Sequence, residues 1–346
     1  MQLGITIDLS GAQPKLDMER VLEAERLGFA QVWTGEAYGT DAVTPVAWIL
    51  ARTTRIKAGT GIMQMHARTP AMAAMTAITL QHLSGNRFLC GVGVSGPQVV
   101  EGWHGVPYGK PMQRTREYIA IIRQILERKA PLEFHGDCYQ IPYRGPDATG
   151  LGKPLRSITH GNPDLRFYTA SITPAGLRTA GEVADGVLPI FYSPENPAIV
   201  SAPILEGMRK AGRPANLERF DVAPFVRVKL GPDVAACRDA IRPELALYIG
   251  GMGARSKNFY NDVAIKLGYG GAAKTIQDLY LDGKKAEAAA AVPDKLVDEI
   301  SLVGPAEMIR DRLAAWKQAA RDRHVGTMVL KGANIEAMRV VAEAVL

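Results

Sequence analysis

Residues 56–94 read IKAGTGIMQMHARTPAMAAMTAITLQHLSGNRFLCGVGV. Ile56 to Ile62 is a short run of apolar and small residues and reads as a strand. Pro70 suits the first turn of a helix, which runs through small residues to Leu83 and stops at Ser84-Gly85. Arg87 to Val94 is a second strand. A strand, a helix and a strand in this order imply two parallel strands joined by a helical crossover.

The same unit extends in both directions. Upstream, Gln2 to Asp8 alternates apolar residues at Leu3, Ile5 and Ile7, as a strand does. Asp17 to Leu27 carries Met18, Val21, Leu22 and Leu27 at helical spacing, and Gly28 supplies a stop. Phe29 to Thr34 is a strand, and Pro45 lies at the start of a helix that reaches Arg52. Downstream come a helix over Met112–Lys129, a strand over Leu165–Ala170 and a helix over Pro174–Ala180. A strand over Asp185–Pro189, a helix over Ala198–Ala211, a strand over Phe220–Leu230 and a helix over Asp233–Tyr248 follow. The strand Gly326–Lys331 and the helix Asn334–Leu346 end the chain.

Eight such alternations, spaced by about 30 residues, favour a closed (β/α)8 TIM barrel over an open doubly wound sheet. No Ser/Gly-rich linker divides residues 1–346, which read as a single domain. Residues 134–152 are rich in Gly, Pro and aromatics and suggest a small hairpin with a loop. Residues 250–303 form a long, mostly helical insertion before the last strand, expected to cover the barrel mouth or make a subunit contact.

Composition narrows the function classes. Of 346 residues, 47% are apolar and 22% charged, enough to build a large core. The formal charge of +6 is spread along the chain, and even Lys284-Lys285 lies in a polar, Ala-rich stretch. That argues for a solvated surface and against a nucleic-acid partner. No apolar run reaches the roughly 18 residues of a membrane span. Met1 to Ser10 reads as a strand, not a signal peptide, so a cytoplasmic location is expected. Cys90, Cys138 and Cys237 are odd in number and far apart, giving neither a disulfide framework nor metal-ligand spacing.

In a barrel of this kind, chemistry belongs to the loops that follow the strands. Glu36, just past the second strand, could hold a cofactor edge or move a proton. His66 and Arg68 share the third loop, where a histidine could shuttle protons and an arginine could pin an anion. Met63 and Met65 read as packing. Gly91-Val92-Gly93-Val94-Ser95-Gly96 fits the G-x-G-x-x-G pattern, but the residues from Pro97 onward do not look like the tightly packed helix a dinucleotide fingerprint needs. The glycines instead suggest close approach of a flat ligand to the backbone. Ser171-Ile172-Thr173 before Pro174 offers free N–H groups and two hydroxyls at a helix N-terminus, suited either to an ordinary cap or to a phosphate.

Several segments together resemble the bacterial luciferase-like family of flavin and F420 enzymes. They are Val32–Glu36, Gly59–Ile62, Arg68–Ala71, Leu83–Phe88, Gly91–Gly93, Ala170–Gly181 and Ala184–Val187. Leu302–Pro305, Ala314–Trp316 and Val325–Thr327 continue the match to the C-terminal end. The resemblance is nearest to the F420-dependent oxidoreductase branch, which includes methylenetetrahydromethanopterin reductase and F420-dependent glucose-6-phosphate dehydrogenase. It implies a luciferase-like TIM barrel holding coenzyme F420, or FMN in the alternative, and hydride transfer between deazaflavin C5 and a small organic substrate. It also implies a non-proline cis peptide at Gly61-Ile62, cofactor contacts at Val94 and Ser95, and a cofactor phosphate at the segment Ala170, Ser171, Ile172 and Thr173. Glu36 and His66 are the candidate catalytic residues. Several F420-dependent relatives carry Asp-His after the second strand, where this chain has Glu36-Ala37, so His66 or Tyr38 would have to replace that histidine. A homodimer or higher homo-oligomer is implied as well. The rival readings are an FMN-dependent monooxygenase and a non-catalytic F420-binding protein.

Overall fold

A computed structural model describes residues 1–346. The barrel strands are β1 (Gln2–Ile7), β2 (Gln31–Thr34), β3 (Lys57–Thr60), β4 (Phe88–Gly93), β5 (Phe167–Thr169) and β6 (Gly186–Val187). The seventh, β7, is split into Asp221–Val222 and Phe225–Leu230, and two further strands follow as β8 (Ser301–Gly304) and β9 (Thr327–Lys331). Each of β1 to β6 pairs in parallel with the next. The first part of β7 pairs with β6, the second part with β9, and β9 returns to β1. The sheet therefore closes into the luciferase-like TIM barrel. Pro224, which has no N–H to give, marks the break in β7.

Alternation along the strands sorts the side chains into two cores. Leu3, Ile5, Val32, Ala58, Cys90, Phe167 and Met328 face the surrounding helices and join the large outer core. Trp33, Leu89, Tyr168, Leu188, Ala223 and Val329 fill the barrel interior. Below them, toward the N-terminal ends of the strands, lies a buried polar layer. Asp221 Oδ2 accepts from Gln31 Nε2 at 3.0 Å, Tyr168 OH at 2.9 Å and Thr327 Oγ1 at 3.0 Å. Trp33 Nε1 donates to Gln31 Oε1 at 3.0 Å. Every donor in this layer comes from a different strand from its acceptor except that last one, so the layer ties the barrel across its base.

The helices shield the barrel from outside. They are α1 (Met18–Leu27), α2 (Val43–Arg52), α3 (Pro70–Ser84), α4 (Pro97–Gly102), α5 (Pro111–Glu127), α6 (Pro174–Val183) and α7 (Ala198–Lys210). Their ends follow the expected local chemistry. Thr69 accepts from Met72 N and Thr173 from Gly176 N as N-caps, and Gly28 and Gly85 close α1 and α3 in the left-handed region. The hairpin expected near residue 134 is present, with Phe134–His135 antiparallel to Gln140–Ile141.

Four readings of the sequence need correction. The helix expected over 233–248 is broken into α8 (Val234–Asp239) and α9 (Arg242–Ala246), followed by a π-turn at Leu247–Gly251. Pro243 supplies no N–H, so the first helix cannot run through it. The insertion is helical in α10 (Phe259–Lys266), α11 (Gly270–Leu281), α12 (Lys285–Ala290) and α13 (Asp294–Ile300), but it ends in β8, parallel to the outer half of β7. Pro305 then precedes α14 (Ala306–Arg321), a helix not expected from the sequence; α15 (Ile335–Val345) follows β9. Finally, α4 starts at Pro97, directly after the glycine run, where no helix was expected. Only Val100 of its six residues is buried, so it cannot pack as a dinucleotide-binding crossover does.

Between β3 and β4 the ladder carries one extra residue. Ala58 pairs with Phe88 and Met63 with Val92, five steps against four. Within this bulge the Thr60 hydroxyl bridges strand β4, donating to Gly91 O at 2.7 Å and accepting from Gly91 N at 3.1 Å. A Cβ at Gly91 would lie 1.8 Å from Thr60 O, which is backbone and cannot swing aside. Gly91→Ala is therefore expected to cost about 3 kcal/mol in urea unfolding. Gly102→Ala, where a Cβ meets nothing within 4 Å, should stay within about 0.5 kcal/mol of wild type. Equal stability of the two variants would contradict this packing.

Candidate active site

The inward positions continue past the interior layer to the C-terminal rim. By parity with Trp33, Gly59, Leu89 and Tyr168, the rim residues are Gly35, Gly61, Gly93 and Ala170 on the second to fifth strands. By parity with Ala223 and Val329, they are Arg227 on β7 and Lys331 on β9. One half of the mouth is thus built of minimal side chains and the other of long cations.

The glycines serve a different purpose from the one expected. A Cβ at Gly35 would lie 2.8 Å from Gly61 O, and one at Gly93 would lie 2.7 Å from Ile62 Cγ1. These positions are filled by the protein's own backbone and by Ile62, so no ligand approaches them directly. Ile62, half-buried and packed against the interior cluster, is the residue that caps this half of the mouth. The Gly61-Ile62 peptide is cis, at the position the resemblance implied.

Glu36 holds this bulge in place. Its Oε1 accepts from Gln64 N at 2.7 Å and from Arg68 Nη1 at 2.7 Å, and its Oε2 accepts from Ala42 N at 2.9 Å. The carboxylate side chain is only 6% exposed. Gln64 Nε2 donates to Ala37 O at 2.7 Å, and Arg68 Nη2 also lies 3.6 Å from Asp41. Glu36 and Arg68, found in sequence as separate loop residues, form one clamp joining the second and third loops to the start of α2.

His66 stands apart from that clamp. Its Nε2 lies 3.2 Å from Tyr108 O, and its ring is nearly parallel to that of Tyr108 at 6.0 Å. Its Nδ1 is buried without a hydrogen-bond partner. Burial, reinforced by the nearby Arg114 charge, holds the imidazole below its ordinary pKa. Val94 and Ser95 lie on the same side. Ser95 takes a left-handed conformation with φ 59°, and its carbonyl accepts from Tyr108 OH at 3.5 Å.

Next to them on the same half of the rim, the residues before α6 present an anion cradle. The N–H groups of Ser171, Ile172 and Thr173 donate to no group of the protein. The Thr173 hydroxyl accepts from Gly176 N at 3.1 Å as the cap and keeps its O–H to donate, and the Ser171 hydroxyl has no partner. Ala170, on the rim beside them, is exposed. Sequence reasoning missed the adjoining wall, where Phe191 lines one cavity with Ile172. There Phe191, Tyr248 and Tyr260 meet edge to face, with centroids 4.8 to 6.0 Å apart. Arg227 and Lys331 both meet Glu244 of α9, Lys331 Nζ at 2.9 Å. The signal was available: Phe225 and Arg227 share the inward phase of β7, and a charge at that phase near a strand end points into the mouth.

Comparison with known proteins agrees with this architecture. The family model for luciferase-like monooxygenases matches residues 6–323. A Mycobacterium tuberculosis protein, provisionally named a coenzyme F420-dependent oxidoreductase, is 42% identical over 100% of this chain and 99% of its own length. The 5,10-methylenetetrahydromethanopterin reductase of Archaeoglobus fulgidus is 26% identical over 86% of this chain and 84% of its own. Among solved structures, the coenzyme F420-dependent tetrahydromethanopterin reductase of Methanopyrus kandleri superposes with a TM-score of 0.77. It does so at 22% identity, covering 99% of this chain and 98% of the other. The chain belongs to the luciferase-like monooxygenase family and, within it, to the branch of F420-dependent oxidoreductases.

The Glu36 clamp yields a direct test. Arg68→Met leaves a buried carboxylate without its cation and should lower stability by about 3 kcal/mol. Arg68→Lys keeps the charge but loses the planar fork, and should recover only part of that loss. Urea unfolding of both variants checks this. A cost for Arg68→Met no larger than that of an ordinary surface substitution would remove the clamp.

Proposed function

We propose that the protein is an F420-dependent oxidoreductase that transfers a hydride between deazaflavin C5 and a small organic substrate. The observation that carries this reading is the row of unpartnered N–H groups at Ser171, Ile172 and Thr173, which faces the mouth beside the exposed Ala170. A helix N-terminus with free donors favours a phosphate. The flat apolar cap at Gly61-Ile62, with Val94 and Ser95 beside it, suits a planar ring. The cofactor, when bound, supplies the hydride chemistry.

The chain's own part is to orient and exclude. In this reading Glu36 acts by position: its two oxygens already accept three hydrogen bonds, and it fixes the bulge that carries Ile62. His66 is the proton-handling group on the ring side. Its lowered pKa keeps it neutral at pH 7, and its Nδ1 has no partner to displace. The aromatic wall of Phe191, Tyr248 and Tyr260 keeps water from the substrate side. In the same reading residues 1–346 act as one domain, with Tyr260 of the 250–303 insertion completing that wall.

Titration of the purified protein with F420 and, separately, with FMN tests the cofactor. Tight F420 binding with weak FMN binding is expected. Ser171→Asp, which sets a carboxylate in the cradle, should weaken F420 by roughly tenfold or more without changing the melting temperature. Preference for FMN would replace this reading with the monooxygenase. F420 binding without turnover across a screen of hydride donors and acceptors would leave a cofactor-binding protein.

We also propose a homodimer. The outer face of α3 exposes Met72, Met75 and Leu83, and Trp48 of α2 is 52% exposed. An apolar patch of this kind marks an interaction surface. Sedimentation should give a dimer, and Met75→Asp with Leu83→Asp should give a folded monomer. A wild-type monomer at micromolar concentration would sink the proposal. No helix is long and apolar enough to cross a membrane.

A further inference from the structure

The cationic half of the mouth contains an arrangement that the barrel alone would not favour. Arg227 and Lys331 are directly paired across β7 and β9, both at the inward phase. Like charges at paired positions repel. Both are largely withdrawn from water, with side chains 30% and 27% exposed. Such a pair needs an anion beside it or an amine drawn toward its neutral form, and burial together with the Arg227 charge holds the Lys331 amine down at about 8.

In this structure the anion is Glu244, which bridges both cations. Glu244 does not come from the barrel. It sits on α9, a five-residue helix that begins at Arg242-Pro243 and runs into the π-turn Leu247–Gly251. Leu245 and Ala246 bury the other side of this helix in the core of the insertion, which fixes where Glu244 stands, and π-helical turns recur at functional sites. The cleft around the three charges is lined by Phe191 and Phe225. Phe191 in turn meets Tyr248 and Tyr260 edge to face. Asp8, at the neighbouring strand end, is a second carboxylate whose charge acts on both Arg227 and Lys331.

We propose that Arg227 and Lys331 are the anchor for a carboxylate on the substrate, and that Glu244 holds the place this carboxylate takes. Paired guanidinium and ammonium donors fix a carboxylate in one orientation. The aromatic residues beside them favour a flat, unsaturated or aromatic body attached to it. The substrate class is therefore a planar carboxylic acid, held with its reducible or oxidisable part toward the Ile62 side. This assignment rests on the oxidoreductase reading for its chemistry but not for its binding site.

Calorimetric titration of the full-length protein with benzoate, with and without F420, tests it. Benzamide, the neutral isostere, is the control. Benzoate should bind, and benzamide should bind at least roughly tenfold more weakly. Arg227→Met and Lys331→Met should each weaken benzoate by roughly tenfold while leaving the melting temperature and F420 binding near wild type. Glu244→Gln, which removes the competing charge, should tighten benzoate several-fold. Equal binding of benzoate and benzamide, absence of benzoate binding, or weakening by Glu244→Gln would each overturn the proposal. Benzoate binding that persists in a protein unable to bind F420 would overturn the cofactor assignment and leave the anchor standing.

Discussion

The indole of Trp33 lies across the barrel interior, and the site depends on the space it takes. A Cβ at Gly59 would fall 2.4 Å from its Cζ3, and Cβ atoms at Gly61 and Gly91 would lie within 3.3 Å of the same side chain. Strands β3 and β4 must therefore be glycine where they pass it. Freed of side chains, their backbones approach closely enough for Thr60 to bridge both main-chain groups of Gly91. The extra residue of the bulge is then pushed upward, carrying Ile62 to the rim. The Glu36–Arg68 clamp holds that displaced loop from outside. Interior packing, bulge and rim form one chain of cause.

The division of the mouth follows from the same packing. Strands that pass the indole end in glycine or alanine at the rim, leaving a low, apolar surface bounded by Ser171–Thr173. The strands on the other side carry Ala223, Phe225 and Val329 at the inward phase, with Arg227 and Lys331 next in phase at the rim. A planar cofactor and a charged substrate would thus meet over the barrel axis without competing for one wall. The segment between β7 and β8 completes this cationic side, since it carries Glu244, Tyr248 and Tyr260.

Much of the barrel was legible because outward-facing Leu3, Ile5 and Ile7, and their counterparts on later strands, impose a clean alternation. Helix ends were legible from Pro70, Gly85 and Pro174, whose local chemistry does not depend on the rest of the fold. The strand Ser301–Gly304 was not legible: four residues joined to a helix carry no period of their own, and only pairing with β7 makes them a strand. The position of Glu36 near the mouth could be read, but not its engagement, because Ala42 N, Gln64 N and Arg68 meet only in the folded chain. The glycines of β4 were misread as space for a ligand, since nothing local reveals that Trp33 and Ile62 already fill it. Arg227 and Lys331 were legible from strand phase, as charges at the inward position near a strand end.

A crystal structure of the protein soaked with F420 tests the central claim most directly. The account places the deazaflavin ring against Gly61-Ile62 and its phosphate on the N–H groups of Ser171, Ile172 and Thr173, with Arg227 and Lys331 left free on the opposite wall. Ring density over Arg227 and Lys331, or phosphate density away from the start of α6, would contradict it.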